Sequence, residues 1–206
     1  MKMSTKEKIL ECATKLFAEK GYSAISVRTL AREVGITEGS IYNHFKSKKE
    51  ILETILENHE KQLLEFMPTG RSLITAYEKD DWCPAWTKRI EQMRTMPQMA
   101  VKSLEISKIL TQEQYRNPKA SQIVNDYYIS LPVEITKALL DHLKNKKEIS
   151  QDSDSEILAI SYQYPIYGMV QEYLIAVATD NDGDSVLDKM EKHIRYFWEE
   201  IIGRKY

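Results

Sequence analysis

The apolar positions of the chain recur at helical spacing almost from its first residues. Ile9, Leu10, Ala13, Leu16 and Phe17 share one face of a helix. Ser4-Thr5-Lys6-Glu7 opens that helix as a capping box, the serine accepting from the N3 amide while the glutamate reaches back, and Gly21 stops it. A short second helix follows the cap Ser26 and buries Val27, Leu30, Ala31 and Val34 up to Gly35. Thr37 caps a third, with Ile41 and Phe45 four apart and facing inward. Ser47-Lys48-Lys49-Glu50 is a second capping box, opening a long helix through Ile51, Leu52, Ile55, Leu56, Leu63 and Leu64 to about Pro68-Thr69-Gly70. Three short helices in about 45 residues bury little area alone, so this module leans on the fourth.

The rest of the pattern is also helical. A short segment around Ser72–Tyr77 precedes the acidic break Glu78–Asp81, and Pro97 kinks or splits a longer helix from about Ala85 to Gln112. Pro118 suits the first turn of a helix running to about Lys144, with Pro132 as a second kink. Asn145–Asp152 is a polar loop, and Ser153 or Asp154 caps a helix that ends near Thr179. Asp180–Asp184 is a turn, and Ser185–Ile202 is the last helix. The fold class is therefore all-α: a three-helix helix-turn-helix module over residues 1–48 and a larger helical domain over 49–206.

The last two helices predict assembly. Leu187, Met190, Ile194, Phe197 and Ile201 form an a/d-like seam with Trp198 beside it. The preceding helix is apolar on nearly every side, which predicts burial all round. One face packs on its own subunit and the other needs a partner, so two helices from each of two chains make a four-helix bundle. Ile157, Leu158 and Met169 join the seam residues as the candidate dimer interface. A monomer with one deeply central helix is the alternative.

Composition narrows the class. Hydrophobic residues are 42% and charged residues 29%, and seven Gly with six Pro leave little room for a turn-rich β fold. No stretch approaches the roughly 20 apolar residues of a membrane span. The N-terminus lacks an apolar signal core, and two cysteines are too few for a disulfide scaffold, so a cytoplasmic location is expected. The net charge of −2 hides an asymmetry: residues 1–50 sum to +4 and residues 51–206 to −6. A polyanion would bind at the N-terminal end.

Residues 26–46 have the layout that such a partner needs. A short helix ends at Gly35, which permits a left-handed turn; Ile36 plugs the space between helices; a second short helix exposes Glu38, Gly39, Ser40, Tyr42, Asn43 and His44. Gly39 and Ser40 are small enough for close backbone approach. Tyr42 and His44 can donate to phosphate oxygens, and Lys46 and Lys48 add charge.

The order of residues adds specificity. Ala13-Thr14-Lys15-Leu16-Phe17-Ala18-Glu19-Lys20-Gly21-Tyr22 and Leu30 to Lys48, with Gly-Ile-Thr-x-Gly and Tyr-x-His-Phe-x-Ser-Lys, resemble the opening of TetR (Tet repressor) family regulators. The resemblance covers about residues 5–55. It implies that Thr37, Tyr42, His44 and Lys48 contact the DNA backbone, and that Arg28, Glu38, Gly39, Ser40 and Asn43 lie at or near base edges, with Ser26 beside them. It further implies a homodimer on a pseudo-palindromic double-stranded DNA operator, released when a small-molecule inducer binds the C-terminal ligand-binding and dimerisation domain. The competing reading is a helical adaptor without DNA binding.

Trp82, Trp86, Met93, Met96, Tyr127, Tyr128, Tyr164, Tyr167 and Tyr173 are, as a group near the kinks at Pro97, Pro132 and Pro165, the candidate lining of a pocket for an apolar or aromatic ligand; taken singly, packing in the core is the alternative for each. Pro165 also leaves the Ser161 carbonyl without its helical partner, so that a polar group faces that space. Asp180, Asp182, Asp184 and Glu191 match part of a calcium-loop pattern, but Ser185 stands where glycine is required, so an acidic turn is the better reading. His44, His59, His142 and His193 are too scattered for a metal site, His59 and His142 reading as surface or helix-end residues, and Cys83 lacks a basic neighbour. No catalytic grouping, metal site or cofactor motif is present in the sequence, so no enzyme activity is expected.

Overall fold

The computed structural model describes residues 3–79, 85–95 and 97–203, and among them every regular element is helical. The chain divides into two compact units, Met1–Phe66 with Val101–Val124, and Met67–Ala100 with Asn125–Tyr206.

The first unit begins with α1 (Thr5–Lys20), a 3₁₀ turn (Tyr22–Ala24), α2 (Val27–Val34), α3 (Glu38–Tyr42) and α4 (Lys48–Phe66). The first capping box forms in full: the Glu7 amide donates to Ser4 Oγ at 3.2 Å, and the Ser4 amide to Glu7 Oε2 at 2.7 Å. The second departs from the expected pattern. The Glu50 amide donates to Ser47 Oγ at 3.1 Å, but the Glu50 carboxylate accepts from the Lys46 amide, one residue further back, at 2.5 Å. Ile9, Phe17, Leu30, Ile41, Phe45, Ile51, Leu52 and Leu56 are buried among these helices. A fully buried side chain of this kind contributes about 1.5–3 kcal/mol. The unit is completed by most of α7 (Pro97–Glu113) and by α8 (Pro118–Ile123), which bring in Ile109, Leu110, Ala120 and Ile123. Lys119 on α8 pairs with Glu60 on α4 at 2.5 Å. His59 is half-buried on α4, and that burial pushes its imidazole pKa down to about 4.

The second unit holds α5 (Gly70–Glu78), α6 (Ala85–Thr95), α9 (Leu131–Asn145), α10 (Ser155–Ala178) and α11 (Asp184–Arg195). Asp154 caps α10, its carboxylate accepting from the Glu156 and Ile157 amides. Pro97 stands as the first residue of α7, where its missing N–H costs nothing, and α6 ends at Thr95. Pro132 acts differently. It lies in the first turn of α9, and the helix immediately before it widens into a π-helical stretch, Val124–Ser130. A proline cannot supply the amide that the Tyr128 carbonyl would accept in an α-helix, and a wider turn is one way to absorb that loss. A second π stretch, Tyr196–Ile201, ends the last helix.

Two expectations about this unit need correction. Leu187, Met190 and Ile194 of α11, with Phe197 and Trp198 just beyond it, are all at most 2% exposed within the single chain, so these five side chains have no surface left to offer a partner. Tyr162 of α10 fills the space beside it, with ring centroids 4.6 Å from Phe197 and 5.5 Å from Trp198. Pro165 does not aim a carbonyl into an internal space either. Ser161 and Pro165 lie on the exposed face of α10, and Ser161 Oγ donates back to the Ile157 and Leu158 carbonyls. The buried face of α10 carries Ala159, Tyr162, Ile166, Tyr173 and Leu174; its opposite face exposes Ile157, Tyr164 and Ile175 at 59%, 53% and 64%.

Candidate nucleic-acid interface

The local chemistry of residues 26–48 builds a turn and then holds a short helix clear of it. Ser26 caps α2 by accepting from the Thr29 amide at 3.0 Å. Gly35 closes α2 in the left-handed region, with φ 78° and ψ 35°, and the Ile36 amide donates back to the Ala31 carbonyl at 2.9 Å. Thr37 then starts α3 in extended conformation and accepts from the Ser40 amide at 3.1 Å. Only Ile41 and Phe45 turn inward, to 1% and 2% exposure. That leaves Glu38, Gly39, Tyr42, Asn43 and His44 exposed, Tyr42 at 53%.

The expected interface residues separate into three groups. Ser26, Arg28, Thr37, Glu38, Gly39, Tyr42, Asn43, His44 and Lys46 all lie exposed on the helix-turn-helix. Ser40 is half-buried, and its hydroxyl is 2.8 Å from Thr37 Oγ1, so it completes the cap as much as it faces outward. Lys48 stands apart. Its ammonium donates to the Tyr22 carbonyl at 2.8 Å and the Ile25 carbonyl at 2.7 Å, and lies 4.2 Å from the centroid of the Tyr22 ring. Burial pushes its pKa down, and the charge of Glu113 opposes that shift. Nothing in the local sequence signals this role, because both carbonyls are more than twenty residues away.

Further cations surround the module. Lys6 lies 5.3 Å over the Phe45 ring, Arg32 pairs with Glu33, and Lys49 pairs with Glu53 at 3.5 Å. The fold does not require glycine at position 39: a Cβ there would meet only Thr37 Oγ1, at an ordinary 3.8 Å.

The described residues of the expected pocket belong to the second unit. Trp82 and Met96 lie outside the described residues, as does the side chain of Ile201 from the expected interface. Tyr164 faces outward, so it lines no interior space of its own chain. Tyr173 is buried against the turn before α11, so close that a Cβ on Gly183 would come within 3.0 Å of its ring. Trp86, Met93, Tyr127, Tyr128 and Tyr167 are half-buried. Trp86 Nε1 donates to Gln163 Oε1 at 3.2 Å, and Gln163 Nε2 donates to Thr136 Oγ1 at 2.7 Å. Burial pushes the Tyr128 hydroxyl up to about 12, with Arg89 pulling the other way. The acidic turn is a cap: Asp182 accepts from the Asp184 amide at 3.0 Å. Arg94, which the local sequence does not single out, binds Asp184 and Asp188 at 3.2 and 2.6 Å and reaches Glu191 at 3.5 Å.

The chain is similar to known proteins over this module and beyond it. Residues 9–55 match the family described as "Bacterial regulatory proteins, tetR family". The HTH-type transcriptional repressor AcnR of Corynebacterium efficiens is 29% identical over 205 residues, covering 94% of both chains. The HTH-type transcriptional repressor KstR2 of Mycolicibacterium smegmatis is 40% identical over 55 residues, and the match spans 27% of its length. Bacillus subtilis YuxN is 40% identical over 82 residues, spanning 28% of its length. Two solved structures share the fold. The MbdR regulator from Azoarcus sp. CIB has a TM-score of 0.62 at 20% identity, covering 94% of this chain and 97% of its own. A transcriptional regulator from Saccharomonospora viridis, solved in complex with choline, has a TM-score of 0.58 at 24% identity, covering 95% of each. These relatives are transcriptional regulators and not enzymes. The exposed α3 behind the Gly35 turn thus lies within the segment, residues 9–55, that is similar to the DNA-binding part of the tetR family of bacterial regulatory proteins.

Proposed function

We propose that the chain is a ligand-responsive repressor that binds a pseudo-palindromic DNA operator as a homodimer and is released by a small-molecule inducer. The observation that carries the DNA-binding part is the exposure of Glu38, Gly39, Tyr42, Asn43 and His44 together beyond the Thr37 cap. Asn43 can pair with adenine and Glu38 can accept from a cytosine amino group, while Tyr42 and His44 donate to phosphate oxygens. Gly39, not needed by the fold, leaves room for the duplex itself.

A second copy of the chain is the partner assigned to the exposed face of α10, where Ile157, Tyr164 and Ile175 stand in line. Large apolar side chains left exposed along one helix face mark a candidate interaction surface, and a two-fold axis lets such a face meet its copy. Residues 1–48 serve as the DNA-binding region and 49–206 as the ligand-binding and dimerisation region of a cytoplasmic protein. The half-buried Trp86, Tyr128 and Tyr167, with the Trp86–Gln163–Thr136 hydrogen bonds, supply apolar walls and fixed polar groups of the sort a small organic molecule requires. The Saccharomonospora viridis regulator of this fold holds choline, which supports a small molecule as the class of inducer. Release needs the ligand to favour one conformation by a coupling of about 1–3 kcal/mol.

Selection of duplexes from a random pool with the purified protein tests this reading. Recovered sequences should carry two inverted half-sites with centres about 34–36 Å apart. Affinity should fall steeply with salt, with a slope near −0.9 per neutralised phosphate. Failure to enrich any sequence, with no salt dependence, would make the chain an adaptor instead.

A further inference from the structure

Lys6 stands in the first turn of α1, where a cation meets the unfavourable end of the helix dipole. Its side chain is exposed, and among the described residues it closes no ion pair and donates to no acceptor. The ammonium lies instead 5.3 Å over the ring of Phe45, an attachment that leaves all three N–H groups to give. Phe45 is 2% exposed and sits between His44 and Lys46, both exposed, in the turn that joins α3 to α4. The start of α1 is therefore held at the same edge as the end of the recognition segment. The acids nearest these lysines in sequence are already engaged: Glu7 accepts from the Ser4 amide at 2.7 Å, and Glu50 from the Lys46 amide at 2.5 Å. Elsewhere on the module Arg32 pairs with Glu33, and Lys49 with Glu53. Neither Lys6 nor Lys46 pairs with a carboxylate among the described residues, so this edge keeps its positive charge.

We propose that Lys6 is a further phosphate-binding residue: with His44 and Lys46 it holds the duplex backbone beside the groove that α3 enters, and so extends the interface from the helix-turn-helix onto α1. The inference rests on the DNA-binding reading above. Neither helix α1 nor an ion partner within the chain calls for a lysine at this position, whereas a phosphate does. Because Phe45 is fixed in the core beside Ile41, the ammonium rides on the same turn that carries His44 and Lys46. A lysine there meets the backbone as a point charge and reads no base edge, so it adds affinity without adding sequence preference. Lys6 also precedes the matched residues 9–55, so similarity over that segment assigns it no role.

The salt dependence of binding measures this contact. Wild type, Lys6→Gln, Lys6→Glu and Lys15→Gln in the full-length chain are titrated across a salt series with a duplex recovered by the wild-type protein and with a scrambled duplex. Lys6→Gln should reduce the slope by about 0.9 per chain, and should weaken binding to both duplexes by the same factor. Lys15 is exposed on the same helix, about 14 Å further along it, and Lys15→Gln should leave the slope unchanged. Lys6→Glu puts an acid where the helix dipole favours one, so it should melt no lower than Lys6→Gln yet bind both duplexes more weakly still. That opposition separates a lost contact from a folding defect. A slope unchanged in Lys6→Gln overturns the proposal. A loss of affinity confined to the recovered duplex does so too, since it would mean that removing the ammonium re-aims α3. An equal fall in slope for Lys15→Gln would reduce the effect to net charge and overturn it as well. Should the wild-type chain enrich no duplex, the DNA-binding reading fails and this one with it; should the wild type bind and Lys6→Gln follow its salt curve, only the Lys6 contact fails.

Discussion

Replacing Gly35 by alanine isolates the energetic cost of the turn. Gly35 sits at φ 78° and ψ 35°, and a Cβ added there would meet nothing within 4 Å. No neighbour has to move, so the whole penalty is the residue's own backbone, about 1–2 kcal/mol for a left-handed alanine. The more restricted unfolded chain returns part of this, leaving a net loss of about 1 kcal/mol. For a chain of this size that lowers the midpoint of thermal unfolding by about 2–4 °C. Circular dichroism melts of wild type, Gly35→Ala and Gly35→Asn provide the measurement, and asparagine, which tolerates this conformation, should lose less than half as much. Because native domains hold about 5–15 kcal/mol, nearly every molecule stays folded, and affinity for a selected duplex should change less than twofold unless α3 is re-aimed. An unchanged or raised melting point for Gly35→Ala would mean that the turn relaxes out of the left-handed region. A loss above about 4 kcal/mol would mean that a neighbour does collide. Either result refutes the reasoning.

Three further outcomes are expected. His59 titrates near 4 in the folded chain against an ordinary value near 6.5, so its contribution is complete above pH 6.5 and drains as pH falls toward 4. His59→Gln should flatten stability over that window by up to about 1 kcal/mol per pH unit, read from denaturant midpoints between pH 4 and 7; a pH profile parallel to wild type counts against it. Met190→Ala should cost about 2–5 kcal/mol at every protein concentration, since Met190 is fully buried in its own chain; a loss that fades on dilution would return the seam to a partner. Tyr164→Glu with Ile175→Glu should leave the melt within about 1 kcal/mol of wild type while sedimentation reports a monomer; a persistent dimer would remove the α10 face from the interface.

What the residues reveal by themselves depends on how far each interaction reaches. Ser4 with Glu7, Ser26, Thr37 and Asp154 act within three residues of their partners, and each caps where the local pattern places it. Gly35 and the inward pair Ile41 and Phe45 are readable for the same reason. The α11 seam was misplaced because three-four spacing tells that a face is buried without telling which chain buries it; Tyr162, some thirty residues earlier, settles that. Lys48, Arg94 and His59 escaped because their surroundings come from other elements, such as the 3₁₀ turn for Lys48 and α11 for Arg94. The π stretch before Pro132 is a middle case: the proline marks a disturbance, and only the fold decides whether a helix bends or widens.

The first compact unit is not a continuous piece of chain, since α7 and α8 return to it after more than thirty residues spent elsewhere. A fragment ending at Phe66 would expose the surfaces that Ile109, Leu110, Ala120 and Ile123 cover, and would leave Glu60 without Lys119. Transplanting the DNA-reading head onto another regulator therefore means carrying residues 101–124 along with it. A chimera joined only near position 48 would pair a foreign head with a native buttress, and its success would track how well those few side chains match.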